Sequence, residues 1–177
     1  MSNLCFLDTE TSGLNVNKHT ILQVSFIITD ELLNERLAFT QYIRPYDSEI
    51  DEDALKINKL YDYASFTPPS IVAQNLKTVF EKYEPLNLVG WNVSFDWDFL
   101  RKFSRETDLG LERYFTYAPL DVRSMAFSEF YNKVRPISLH QGDVGKRLDI
   151  EYNGELHNAE TDVRLTLEIF KKLHNMK

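Results

Sequence analysis

Asp8 and Glu10 stand two apart in the stretch Leu4-Cys5-Phe6-Leu7-Asp8-Thr9-Glu10-Thr11-Ser12-Gly13-Leu14, directly behind an apolar run. Side chains alternate across a strand, so a strand here sets both carboxylates on one face, side by side. Two neighbouring anions at the edge of a core repel each other unless a cation lies between them. A donor set made only of oxygen suits a hard divalent ion, Mg²⁺ or Mn²⁺. The pair alone decides little. The chain has 27 acidic residues among 177, and at that density chance gives about four acid-x-acid pairs. Glu49/Asp51, Asp96/Asp98, Asp149/Glu151 and Glu160/Asp162 are others. What distinguishes Asp8/Glu10 is the buried strand expected in front of it.

Two more polar clusters fall where an apolar element meets a turn. Trp91-Asn92-Val93-Ser94-Phe95-Asp96 follows the apolar run Leu86 to Gly90 and opens a helix. Two helical steps turn about 200°, so Asp96 and Asp98 cannot both face one site. His157-Asn158-Ala159-Glu160-Thr161-Asp162 enters the last helix. His157 and Asp162 lie five apart, about 140° around an ideal helix, so they converge only if His157 sits in a loop. Gly154 just upstream makes such a loop plausible. A lone histidine is more often structural than catalytic, and Glu160 competes with Asp162 as the acid.

The elements that must position these groups can be read in order. Thr20 to Thr29 is rich in β-branched and aromatic residues, and Arg36 to Arg44 alternates before Pro45. With the opening run they make an antiparallel meander of three strands. Asp51 to Tyr61 reads as a short helix. Ser70 reads as the N-cap of an amphipathic helix carrying Val72, Leu76, Val79, Phe80 and Tyr83, ended by Pro85. Phe95, Phe99 and Phe103 stack four residues apart on the helix opened by Asn92 and Ser94. Tyr117 to Leu120 reads as a last short strand, with Asp121 capping the helix behind it. Ser138 caps a segment reaching Leu148, and Ala159, Val163, Leu167 and Phe170 form the stripe of a long C-terminal helix. A meander followed by alternating helices and strands gives an α/β chain with one mixed sheet flanked by helices.

Length and a 43% hydrophobic content describe one globular domain over residues 1–177. The single cysteine excludes an internal disulfide. No secretory signal and no membrane-length apolar stretch is visible, so a soluble, cytoplasmic protein is expected. A net charge of −7 argues against a role in coating nucleic acid, which needs a basic surface. An enzyme working on one strand end needs only a local basic patch.

Taken together, Asp8-Thr9-Glu10-Thr11-Ser12-Gly13, Asn92-Val93-Ser94-Phe95-Asp96 and His157-Asn158-Ala159-Glu160-Thr161-Asp162 resemble the three motifs of the DEDDh 3′→5′ exonuclease superfamily, which includes polymerase proofreading subunits, oligoribonuclease and ribonuclease T. The resemblance spans nearly the whole chain and selects Asp96 over Asp98 and Asp162 over Glu160. It implies an RNase H-like mixed five-stranded sheet, antiparallel meander plus parallel strands. It implies hydrolysis by two metal ions, Mg²⁺ or Mn²⁺, held by Asp8, Glu10, Asp96 and Asp162, with His157 as general base and nucleoside 5′-monophosphates as products. The implied partners are single-stranded nucleic-acid 3′ ends, DNA or RNA, and a polymerase or a second copy of the chain. Backbone around Thr9 to Thr11 is expected to hold the 3′-hydroxyl. Leu14 is expected to wedge against the last base, and Asn92 and Phe95 to line the nucleotide pocket. Trp91 and Gln23 depart from the His and Glu that related chains often carry at those positions.

Overall fold

The computed structural model describes residues 3–46, 48–116, 118–131, 138–152 and 154–175. Strands β1 (Asn3–Thr11), β2 (Ile21–Thr29) and β3 (Glu35–Tyr42) form the expected antiparallel meander. β4 (Leu86–Gly90) lies parallel beside β1, and β5 (Leu120–Asp121) parallel beside β4, giving the order β3-β2-β1-β4-β5. β2 is buried along its whole length because it has a strand on each side and helices over both faces.

Helices α2 (Pro69–Tyr83) and α3 (Ser94–Thr107) cover one face, where Leu7, Phe26, Phe80 and Phe99 join a single apolar cluster. Helices α4 (Val122–Phe130), α5 (Gln141–Arg147) and α6 (Ala159–Asn175) cover the other, around Phe6, Ile27, Val144, Val163 and Phe170. Phe6 meets Phe170 edge to face, with ring centroids 5.3 Å apart. A short helix α1 (Glu52–Asn58) packs against the end of β1, where Asn58 Nδ2 donates to the Thr11 carbonyl at 3.1 Å.

Several boundaries differ from those expected. α1 stops at Asn58 rather than Tyr61 because Lys59 turns left-handed, at φ 62°. α2 starts at Pro69, with Pro68 rather than Ser70 at the cap; proline's fixed φ suits the first helical position. β5 is Leu120–Asp121, and Tyr117 lies outside the described residues. Asp121 does cap α4, accepting from the Ser124 N–H at 3.0 Å. Ser138 is not the α5 cap: His140 holds that place, and the Ser138 hydroxyl bonds to Asp143 Oδ2 at 2.5 Å. No helix among the described residues is long and apolar enough to cross a membrane.

The register of β1 sets up everything that follows. Phe6 pairs with Ile27, Asp8 with Ser25 and Glu10 with Gln23, so Phe6, Asp8 and Glu10 share the face that α6 covers. That face changes from apolar to anionic within four residues. Pairing of β1 with β4 ends at Leu7 and Gly90, so residues 8–11 of β1 run on past their parallel neighbour.

Candidate active site

A cleft of about 970 Å³ opens where β1 outruns β4. In open sheets with parallel strands, ligands bind in the crevice beyond the strands' carboxyl ends. Asp8, Glu10, Asp96, His157 and Asp162 all line this cleft. Carboxylate oxygens of Asp8, Glu10 and Asp162 lie within 4.8 Å of one another. Asp96 stands outside that triple, buried at 4% exposure, with Oδ1 accepting from the Thr9 N–H at 2.9 Å and the Thr9 hydroxyl at 2.7 Å. The competing acids, Asp98 and Glu160, are exposed and outside the cleft lining.

Four carboxyls so close and so little hydrated hold their protons unusually well. Burial, then the charges of Asp162 and Asp96, push Glu10 up to about 8. Burial raises Asp96 to about 7 against the opposing pull of the Thr9 hydrogen bonds. Burial also raises Asp162 to about 6, against the His157 N–H. Asp8 is held well above the usual carboxylate range by burial first, then by Asp96, Asp162 and Glu10. Asp162 Oδ1 is buried and accepts no hydrogen bond. A buried acceptor without a donor and a set of crowded oxygens fit a divalent cation, which would ionise all four carboxyls together.

His157 adopts φ 65° in the loop before α6, the non-helical position that convergence with Asp162 required. Its N–H donates to Asp162 Oδ2 at 2.9 Å. Gln141 Nε2 donates to the Asp162 carbonyl at 2.7 Å and to the Thr166 hydroxyl at 2.8 Å, fixing α5 against the same turn.

The expected substrate contacts divide. Thr9, Asn92 and Phe95 line the cleft; Phe95 also packs on Phe99 with centroids 4.9 Å apart. Thr11 does not line it, and its hydroxyl donates to the Gly13 carbonyl at 2.8 Å. Leu14 is 82% exposed, so it takes no part in the core. It projects from a loop held at several points. Ser12 N–H donates to the Thr20 carbonyl, Asp51 N–H to the Ser12 carbonyl, and Lys102 Nζ to the His19 carbonyl. Gly13 lies at φ 155°, and a Cβ there would come within 2.5 Å of the His19 ring.

Sequence reasoning missed the supports. Alternation along β1 carries no hint that Thr9 would serve Asp96, 87 residues away. It also missed Arg123 and Lys146, which line the cleft with no carboxylate within ion-pairing distance among the described residues. Other bases among the described residues also lack an ion pair, Arg44, Lys77, Lys82, Arg105, Arg147 and Lys172, but only Arg123 and Lys146 of the unpaired ones line the cleft.

Residues 5–170 match the family model described as Exonuclease, of the RNase T type. The chain belongs to this exonuclease family. Among curated proteins it is similar to the 3′-5′ DNA exonuclease Cap18 of Escherichia coli, 25% identical over 178 residues, covering 96% of this chain and 90% of that protein. It is also similar to the oligoribonuclease of Buchnera aphidicola subsp. Baizongia pistaciae, 27% identical over 158 residues, covering 78% of this chain and 96% of that protein. Family and relatives together support 3′→5′ exonuclease activity on nucleic acid. The fold matches that of E. coli exonuclease I in complex with a dT13 oligonucleotide, with a TM-score of 0.80 at 20% identity; the match covers 98% of this chain and 41% of that enzyme. The exonuclease domain therefore has the RNase H-like mixed sheet that its motifs imply.

Proposed function

We propose that this exonuclease removes nucleoside 5′-monophosphates one at a time from single-stranded 3′ ends. The observation that carries the proposal is the cluster of Asp8, Glu10 and Asp162, within 4.8 Å of one another and beside His157 in one cleft. Asp8, Glu10, Asp96 and Asp162 would hold two divalent cations, Mg²⁺ or Mn²⁺, whose charge stabilises the attacking and leaving oxygens at the scissile phosphate.

The chain's own residues supply the rest. His157 takes the proton of the attacking water, and Asp162, by accepting the His157 N–H, holds the turn from which the imidazole reaches into the cleft. Thr9 spends its N–H and hydroxyl on Asp96, so the 3′-hydroxyl is left to the backbone around Glu10 and Thr11, where the register of β1 against β2 slips. Leu14, exposed on a braced loop, stacks against the terminal base, while Asn92 and Phe95 border the nucleotide. Arg123 and Lys146 meet backbone phosphates, which suits the salt-sensitive, sequence-independent grip of a strand-end nuclease.

The test is digestion of 3′-labelled and 5′-labelled single-stranded DNA, RNA and short oligonucleotides with Mg²⁺ or Mn²⁺. Release of labelled mononucleotide from the 3′ end, stopped by a chelator, is the expected result. Internal cuts, or binding without cleavage, would overturn it in favour of an endonuclease or a binding domain of the same fold.

A further inference from the structure

Gln23 is fully buried in β2, at 0% exposure. A buried amide is costly unless its hydrogen-bonding groups are used. Its Oε1 accepts from the N–H of Ala159, the first residue of α6, at 3.0 Å. That N–H belongs to the group a helix leaves without internal acceptors, and here the acceptor comes from a strand 136 residues away. The local cap serves a different donor: Asn158 Oδ1 accepts from Glu160 N–H at 3.1 Å. The turn carrying His157 and the helical turn carrying Asp162 are thereby pinned to β2.

The other end of the amide is unused, since Gln23 Nε2 has no hydrogen-bond partner. Its register neighbour on β1 is Glu10, and directly opposed residues on one face of a sheet have Cβ atoms about 4.5–5.5 Å apart. A free donor therefore sits beside a candidate ligand.

Resting on the exonuclease reading above, we propose that Gln23 is a positioning residue that sets the His157–Asp162 limb of the site against Glu10, with Oε1 holding the start of α6 and Nε2 serving the Glu10 carboxylate in the cation-loaded protein. It touches neither substrate nor reacting atoms. Gln23→Met keeps the length and withdraws both polar atoms. Gln23→Glu keeps the acceptor, loses the donor and adds a carboxylate.

The experiment compares the native protein, Gln23→Met and Gln23→Glu in kcat, KM for a 3′-labelled oligonucleotide, and the Mn²⁺ concentration giving half-maximal rate. Amide hydrogen exchange at Ala159, without metal or substrate, is measured beside them. For Gln23→Met, kcat is expected to fall about 10–100-fold with KM within about two-fold, half-saturating Mn²⁺ to rise, and exchange at Ala159 to quicken at least about ten-fold. Gln23→Glu, which keeps the acceptor and loses the donor, is expected to restore the protection at Ala159 while half-saturating Mn²⁺ stays raised. Native kcat and native exchange in a folded Gln23→Met would overturn the assignment. So would a Gln23→Glu protein that leaves Ala159 as unprotected as in Gln23→Met, or one whose half-saturating Mn²⁺ is native. Should Gln23→Met not fold, Gln23→Asn, one methylene short of Ala159, is expected to show the same loss of protection, and full protection there would overturn the proposal equally. A native protein that cleaves no nucleic acid would sink the exonuclease reading, and exchange at Ala159 would still decide the role of Gln23.

Discussion

Two helices bring acids to the cleft, and they begin alike. α3 starts two residues after Asn92, at φ 58°, and carries Asp96; α6 starts two residues after His157, at φ 65°, and carries Asp162. A left-handed residue other than glycine costs energy, so each turn needs an anchor. The anchors differ. Asp96 is itself tied to β1 by two hydrogen bonds from Thr9. Asp162 is tied to its own turn through the His157 N–H, and that turn reaches the sheet through Gln23. One acid is fixed directly to the strand that carries Asp8 and Glu10. The other is fixed through two intermediaries, so the limb carrying His157 and Asp162 meets the sheet through a longer chain of contacts.

The largest expected effect tests whether both sides are indispensable. Asp96→Ala and Asp162→Ala should each lower nucleotide release by about 10³-fold or more. Only Asp162→Ala should also expose the His157 amide to faster hydrogen exchange, because only there is an acceptor for that N–H removed. Equal exchange in the two variants would erase the contrast drawn above. Next comes His157→Ala, with an expected loss of about 10²–10⁴-fold in turnover; an unchanged rate across pH would remove histidine from the mechanism. Thr9→Val deletes the shorter of the two bonds to Asp96 and leaves the N–H, so a loss of about ten-fold in metal affinity or rate is expected. A native Thr9→Val protein would show that the direct anchor is not needed.

The smallest effect is on stability. Glu10 held near 8, Asp96 near 7 and Asp162 near 6 keep protons in the folded chain that an unfolded carboxyl releases near ~4. Across that interval the folded state binds more protons than the unfolded one, so raising the pH removes stability. The metal-free protein should melt lower at about pH 8 than at about pH 5, each ~1 kcal/mol appearing as about 2–4 °C in a chain of this size. Saturating Mn²⁺ should abolish the decline by favouring the ionised forms. A melting temperature that rises over the same range without metal would contradict the crowding of these carboxyls.

The sheet could be read from the chain because its signals are local: an apolar run ahead of Asp8, β-branched residues from Thr20 to Thr29, and a proline after β3. The acids could be read because alternation places Asp8 and Glu10 together. For Asp96 against Asp98, and Asp162 against Glu160, periodicity alone left both open, and it took the combined motif pattern to choose. The caps were less legible. Ser70 and Ser138 look like N-caps by residue type, yet Pro68 and His140 hold those places because proline geometry and the path of the chain outweigh side-chain preference. Thr9 was expected near the 3′-hydroxyl, but its bonds to Asp96, the bond between Ala159 and Gln23, and the place of Arg123 and Lys146 in the cleft were illegible, since each joins parts of the chain far apart in sequence. A strand threonine and a strand glutamine look like any others until the fold shows what stands opposite them.

The glycine that ends the first motif has a consequence of a different kind. Because a methyl group at position 13 would overlap the His19 ring, the loop presenting Leu14 is shaped by an absence. No side chain can be added there without pushing His19, and with it the carbonyl that Lys102 grips. Position 13 offers only room, and room has no conservative substitute.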